Sequence, residues 1–172
     1  MQGAPSSSTG PVLPADFARI SFLVVDDQPF ARRLVRSMLH SFGSREVHEA
    51  AGGAEAFELF RTTIPDVIIT DLVMPDVDGV RLIKTAKGSR APTRTIPIIV
   101  LSGYLTEAAA LEVRRAGAAE LLVKPVSPKA LLEHVSRVVR RIDPASARTA
   151  SMQTRRHSAV LGAKKTTDVA LL

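Results

Sequence analysis

Val67-Ile68-Ile69-Thr70-Asp71-Leu72-Val73-Met74-Pro75-Asp76-Val77-Asp78-Gly79 decides how this 172-residue chain is read. Four β-branched residues run without polar alternation, as in a strand buried on both faces. A single aspartate then ends the run, and Pro75 and Gly79 mark the following stretch as a loop. Three other apolar runs end in the same manner. Ile20–Val25 meets the pair Asp26-Asp27, Ile98–Leu101 meets Ser102, and Leu121–Val123 meets Lys124. Stretches of helical period lie between them, and strands alternating with helices imply a parallel sheet with right-handed crossovers. All strands then point one way, and their C-terminal ends share the edge where open α/β sheets bind ligands. Three carboxylates, a hydroxyl and an ammonium are expected on that edge.

The elements outside the quoted stretch follow from the same signals. After the acid pair, Pro29 suits a first helical turn, and Phe30, Leu34, Val35, Met38 and Phe42 recur at helical spacing until Gly43. Glu46–Ala50 reads as a shorter, less apolar strand nearer an edge. Gly52-Gly53 leads into a helix with Ala56, Phe57, Leu59 and Phe60 inward, stopped by Pro65-Asp66. Val80–Lys87 is a short helix, followed by the polar stretch Gly88–Thr95. A further helix spans Glu107–Ala116 and closes at Gly117. Ser127 is placed to cap the last helix, with Pro128 in its first turn and Leu131, Leu132, Val135, Val138 and Val139 inward until Asp143-Pro144. Five strands alternate with five helices. The expected organisation is a flexible N-terminal segment over 1–17, one domain over 18–143 and a basic, mostly disordered tail over 144–172.

Composition bounds the function. At 45% hydrophobic residues the chain supports a globular core, and no apolar run approaches the roughly 20 residues of a membrane span. The Ser/Pro/Gly-rich start (Met1–Pro14) lacks the pattern of a signal peptide. With no cysteine, thiolate metal sites and thiol nucleophiles are excluded. A cytoplasmic location is the default expectation. The net charge of +6 divides into 17 basic against 14 acidic residues over Ile20–Ile142, or +3, and five basic against two acidic over Asp143–Leu172, again +3. A nearly balanced folded part argues against nucleic-acid binding, which needs a concentrated basic surface.

Three carboxylates on one edge repel one another unless a cation intervenes. An oxygen-only donor set suits Mg²⁺, which takes one or two carboxylates and accepts phosphate oxygens. Asp26, Asp27 and Asp71 are the candidate ligands, joined by the backbone carbonyl of Val73. Asp71 is also placed to act as a nucleophile on phosphorus, giving an acyl phosphate. Positioning and charge neutralisation dominate such a transfer, and Lys124 and Ser102 supply a positive charge and a hydroxyl donor to the phosphate oxygens.

Val-Val-Asp-Asp (Val24–Asp27), Asp-Leu-Val-Met-Pro-Asp-Val-Asp-Gly (Asp71–Gly79), Leu-Ser-Gly-Tyr (Leu101–Tyr104) and Val-Lys-Pro (Val123–Pro125) together resemble the signature of response-regulator receiver domains. The resemblance spans Ile20 to Ile142. It implies a flavodoxin-like (βα)5 domain of CheY type with strand order 2-1-3-4-5. It further implies that Asp71 accepts a phosphoryl group from a sensor histidine kinase or histidine phosphotransfer protein, with Mg²⁺ on Asp26 and Asp27 and Lys124 on the phosphate. Ser102 and Tyr104 take the switch roles, and Lys124-Pro125 is a candidate cis bond. Kinases of this family dock near the first helix, which here carries Arg32, Arg33 and Arg36, all read as exposed. The output is expected at the face of the fourth helix, fifth strand and fifth helix, with Arg114, Arg115, Arg137, Arg140 and Arg141. The chain leaves little room for an effector domain, so a stand-alone regulator acting on a protein partner, as a monomer or weak dimer, is expected.

Three other readings compete. A receiver-like adaptor used without phosphate would tolerate loss of site residues, and all are present. An aspartyl-nucleophile phosphatase wants a second aspartate two positions after the nucleophile, where Val73 stands. DNA binding through the tail lacks a helix-turn-helix after Asp143.

Overall fold

The computed structural model describes residues 17–75, 77, 79–88 and 96–142. The expected tail, the helix stop at Asp143-Pro144, the polar stretch after Gly88, the loop residues Asp76 and Asp78 and the segment before Phe17 lie outside the described residues. Ten elements alternate: β1 (Ser21–Val25), α1 (Pro29–Ser41), β2 (Glu46–Ala50), α2 (Gly53–Thr63), β3 (Val67–Asp71), α3 (Gly79–Gly88), β4 (Ile98–Ser102), α4 (Glu107–Ala116), β5 (Glu120–Val123) and α5 (Pro128–Arg141). Every strand pairing is parallel, and the order is β2-β1-β3-β4-β5. This is the flavodoxin-like arrangement expected from the sequence.

Side-chain alternation along β1 shows why the sheet needs helices on both faces. Phe22 and Val24 join Val35, Met38 and Leu39 of α1 and Leu131, Val135 and Val138 of α5 in one core cluster. Leu23 and Val25 join Ala56 and Phe60 of α2, Leu82 and Ile83 of α3 and Val113 of α4 in the other. β1, β3 and β4 are buried at every position, as central strands covered on both sides must be. β2 is only partly buried and lies at an edge, which accounts for its more polar sequence. Between β1 and β3 the winding reverses, and the crevice at that switch point is where such sheets hold ligands.

Local chemistry sets the helix ends. Gly43 adopts φ 102° after α1, and Ser44 N–H donates to Leu39 O (3.1 Å) while Gly43 N–H donates to His40 O (3.0 Å). That pair of bonds closes the helix in a left-handed turn that glycine enters without strain. Gly117 ends α4 in the same way. The Ser127 hydroxyl accepts from Ala130 N–H and caps α5. Phe17, the last residue of the expected N-terminal segment, packs onto the domain. It is 1% exposed, and its ring meets that of Phe42 at 6.1 Å between centroids. Removing a phenyl ring from water holds it in place.

Candidate functional site

Asp26 is the first residue beyond β1, and its N–H still donates to Ala50 O of β2 (3.2 Å). Gln28 N–H then donates to Asp26 Oδ1 (2.8 Å), a side-chain turn of the kind aspartate favours, and Pro29 begins α1. Asp71 closes β3. Its Oδ1 accepts the N–H of Leu72 (2.6 Å) and, at longer range, that of Val73 (3.4 Å). The loop returns on itself, with Gly79 N–H donating to Leu72 O (2.8 Å). A Cβ at Gly79 would lie 2.5 Å from Asp71 O, so the return requires glycine.

Lys124 connects the two acids. Its N–H donates to Ser102 O (2.7 Å), which aligns the end of β5 with the end of β4. Its Nζ donates to Asp26 Oδ2 and to Asp71 Oδ2, each at 2.7 Å. The Lys124-Pro125 bond is cis. Asp26 and Asp71 are only 2% and 7% exposed, so the charges act at short range with little water between them. Burial pushes the Lys124 ammonium towards a lower pKa, but hydrogen bonds to Asp26 and Asp71 and their charges prevail, holding it above the usual lysine value.

Asp27 completes the group. One carboxylate oxygen from each of Asp26, Asp27 and Asp71 lies within 4.8 Å of the others. Among the described residues the Asp27 side chain makes no hydrogen bond or ion pair, which leaves it available as a ligand. Lys124 balances one of three negative charges, and the donors are all hard oxygens, so the set fits a small divalent cation such as Mg²⁺.

The structure thus brings Asp26, Asp27, Asp71 and Lys124 together across the strand ends. Ser102 shares the same edge and is buried, but its hydroxyl donates to Tyr104 O (2.7 Å) within its own loop. The Tyr104 ring stands outside the cluster, 80% exposed. Val73 is held at the rim by the turn on Asp71, with its side chain exposed.

Arg32 is a correction. The sequence reading places it on the exposed face of α1, yet its side chain is only 15% exposed. It folds back so that Nη1 donates to Asp26 O (2.7 Å). Sequence spacing contains no signal for this contact, because it depends on how α1 tilts against the end of β1.

Comparison with known proteins agrees with the geometry. The family model described as the response regulator receiver domain matches residues 22–136. The chain is 32% identical over 117 residues to the chemotaxis protein CheY of Bacillus subtilis, covering 68% of this chain and 95% of that protein. It is 33% identical over 124 residues to the probable transcriptional regulator ycf27 of Porphyridium aerugineum, covering 72% of this chain but only 50% of that one. Among solved structures, chemotaxis protein CheY4 of Vibrio cholerae superposes with a TM-score of 0.65 at 33% identity, covering 69% of this chain and 98% of CheY4. With two thirds of its length matched by one family model and its acids and lysine gathered at one sheet edge, the chain belongs to the response regulator receiver domain family, the CheY-like signalling modules of two-component systems.

Proposed function

We propose that Asp71 is the phosphoacceptor of a phosphorelay and that the chain signals by a change of shape rather than by turning over a substrate. The observation that carries this reading is the Lys124 ammonium held at 2.7 Å from both Asp26 and Asp71. That ammonium puts a positive charge beside the Asp71 carboxylate, where an incoming phosphoryl group needs its oxygens neutralised. The donor is a phosphohistidine on a sensor kinase or phosphotransfer protein, docked where α1 exposes Phe30, Arg33 and Leu34 beside the site.

In the transfer, Asp71 Oδ2 forms a bond to phosphorus while the phosphorus–nitrogen bond of the donor breaks, and the imidazole leaves with the electron pair and takes up a proton. Asp71 Oδ1 stays on Leu72 N–H, which fixes the carboxylate plane and leaves Oδ2 to react. Asp26, Asp27, Asp71 and the Val73 carbonyl would hold Mg²⁺, which would supply neutralisation of the charge on the transferring group. Lys124 releases Asp71 Oδ2 and pairs with a phosphoryl oxygen. Slow self-catalysed hydrolysis returns the carboxylate.

Phosphorylation adds about one net negative charge and new acceptor oxygens. Ser102 then exchanges its bond to Tyr104 O for one to a phosphoryl oxygen, and the loop that carries the Tyr104 ring loses its tie. That change reaches the face of α4, β5 and α5, where a protein partner binds the altered state more tightly. The test is intact mass of the full chain after treatment with acetyl phosphate and MgCl₂. The native protein gains one phosphoryl group, and Asp71→Asn does not. Equal labelling of both would remove Asp71 from the role, and no labelling of the native chain would instead favour a phosphate-independent adaptor.

A further inference from the structure

We propose that Arg32, anchored by Glu49 of β2, is a positioning residue for the metal site and acts through the peptide between the two acids. This rests on reading Asp26, Asp27 and Asp71 as the Mg²⁺ site. Arg32 Nη1 donates to the carbonyl of Asp26 (2.7 Å), and that carbonyl belongs to the peptide plane whose next Cα carries Asp27. A planar peptide has no freedom about its C–N bond. Pinning its oxygen therefore limits the directions in which the Asp27 carboxylate can leave the chain.

Asp26 is held at every other polar atom. Its N–H is on Ala50 O, Oδ1 is on Gln28 N–H and Oδ2 is on Lys124. Arg32 supplies the remaining restraint. Asp27 has no such partner among the described residues, so its geometry is inherited from its neighbour. Glu49 in turn holds the guanidinium from the edge strand. Arg32 Nε lies 3.4 Å from Glu49 Oε2, near enough for ion pairing but outside hydrogen-bond geometry, since Nε is buried without a hydrogen bond. The other Glu49 oxygen accepts Arg36 Nη1 at 2.9 Å. One carboxylate on β2 thus steadies two arginines of α1, and the inner one reaches the metal loop. Outer partners of metal ligands commonly govern affinity in this way.

Charge and position make opposite predictions, which makes the idea testable. Removing a nearby cation would tighten Mg²⁺ binding by Coulomb's law alone. Loss of a positioning contact weakens it, and about tenfold is expected. Calorimetric titration of MgCl₂ into the metal-free full chain should therefore show Arg32→Met binding about tenfold more weakly than native. Native or tighter affinity in Arg32→Met would overturn the proposal. Glu49→Gln keeps the shape of its side chain and guards against a folding failure of Arg32→Met. In metal-free protein it should speed hydrogen exchange of the Gln28 amide, which reports the loop, and unchanged exchange there would also count against the proposal. Asp27→Asn separates the two levels of the argument. If it binds Mg²⁺ as native does, the metal-site reading falls. If it loses binding while Arg32→Met retains native affinity, only the positioning role falls.

Discussion

Lys124 has two partners before any phosphate arrives, and this dual pairing governs its energetics. Removing one member of a buried pair leaves the other charge uncompensated, at about 3–5 kcal/mol when burial is complete. The Lys124 side chain keeps 23% exposure, so we expect Lys124→Met to lose roughly 2–3 kcal/mol in metal-free urea unfolding. Adding MgCl₂ should restore more stability to the variant than to the native chain, because the cation then has no ammonium to displace. The same residue fixes a pH dependence. Its folded-state pKa lies above the unfolded one, so its stabilisation is complete below the unfolded value of about 10.4 and declines as pH rises through the folded value. The stability difference between native and Lys124→Met should therefore shrink above about pH 10.4 and stay level from there down to neutral pH. A difference that grows with alkalinity would contradict the pairing.

At the scale of elements, the segment from β4 into α4 has the most to do, because it carries Ser102, Tyr104 and the start of the proposed output face. Thr106 ends that loop by capping α4, with its hydroxyl accepting Ala109 N–H at 3.1 Å. Thr106→Ala should cost about 1 kcal/mol in unfolding free energy, and Thr106→Ser should recover most of it. Circular dichroism during urea titration measures both. The cap was not singled out from sequence, whereas Ser127 was. The difference is physical: Ser127 precedes a proline that is already shaped for a first helical turn. Thr106 sits in Leu-Thr-Glu, where threonine suits a strand end as well as a cap. Ile64 is similar. It takes a left-handed φ of 45° after α2, one residue before the expected stop at Pro65-Asp66, and no β-branched residue advertises that conformation.

For the whole molecule, metal binding and stability are linked. A cation that binds the native site and not the unfolded chain raises stability by about 2.7 kcal/mol at a hundred times its dissociation constant. Scanning calorimetry should therefore show a midpoint that climbs with MgCl₂ in the native chain and stays flat in Asp27→Asn. Calcium at equal concentration should raise it less if the site admits only a small, near-octahedral ion. No described helix is long and apolar enough to cross a membrane.

Much of this arrangement was written in the order of residues. Short β-branched apolar runs without alternation read as buried strands, and helices between them imply a parallel sheet. A parallel sheet places every terminal Asp, Ser and Lys on one edge, so the candidate acids and the lysine were legible before any coordinates. What only the tertiary structure decided was how those side chains share their bonds. Whether the Lys124 ammonium reaches one acid or two, whether the Ser102 hydroxyl faces the acids or its own loop, and whether Arg32 points to water or to Asp26 O all depend on helix tilt and strand twist. Those quantities arise from packing among residues distant in the chain, and local sequence pattern does not encode them.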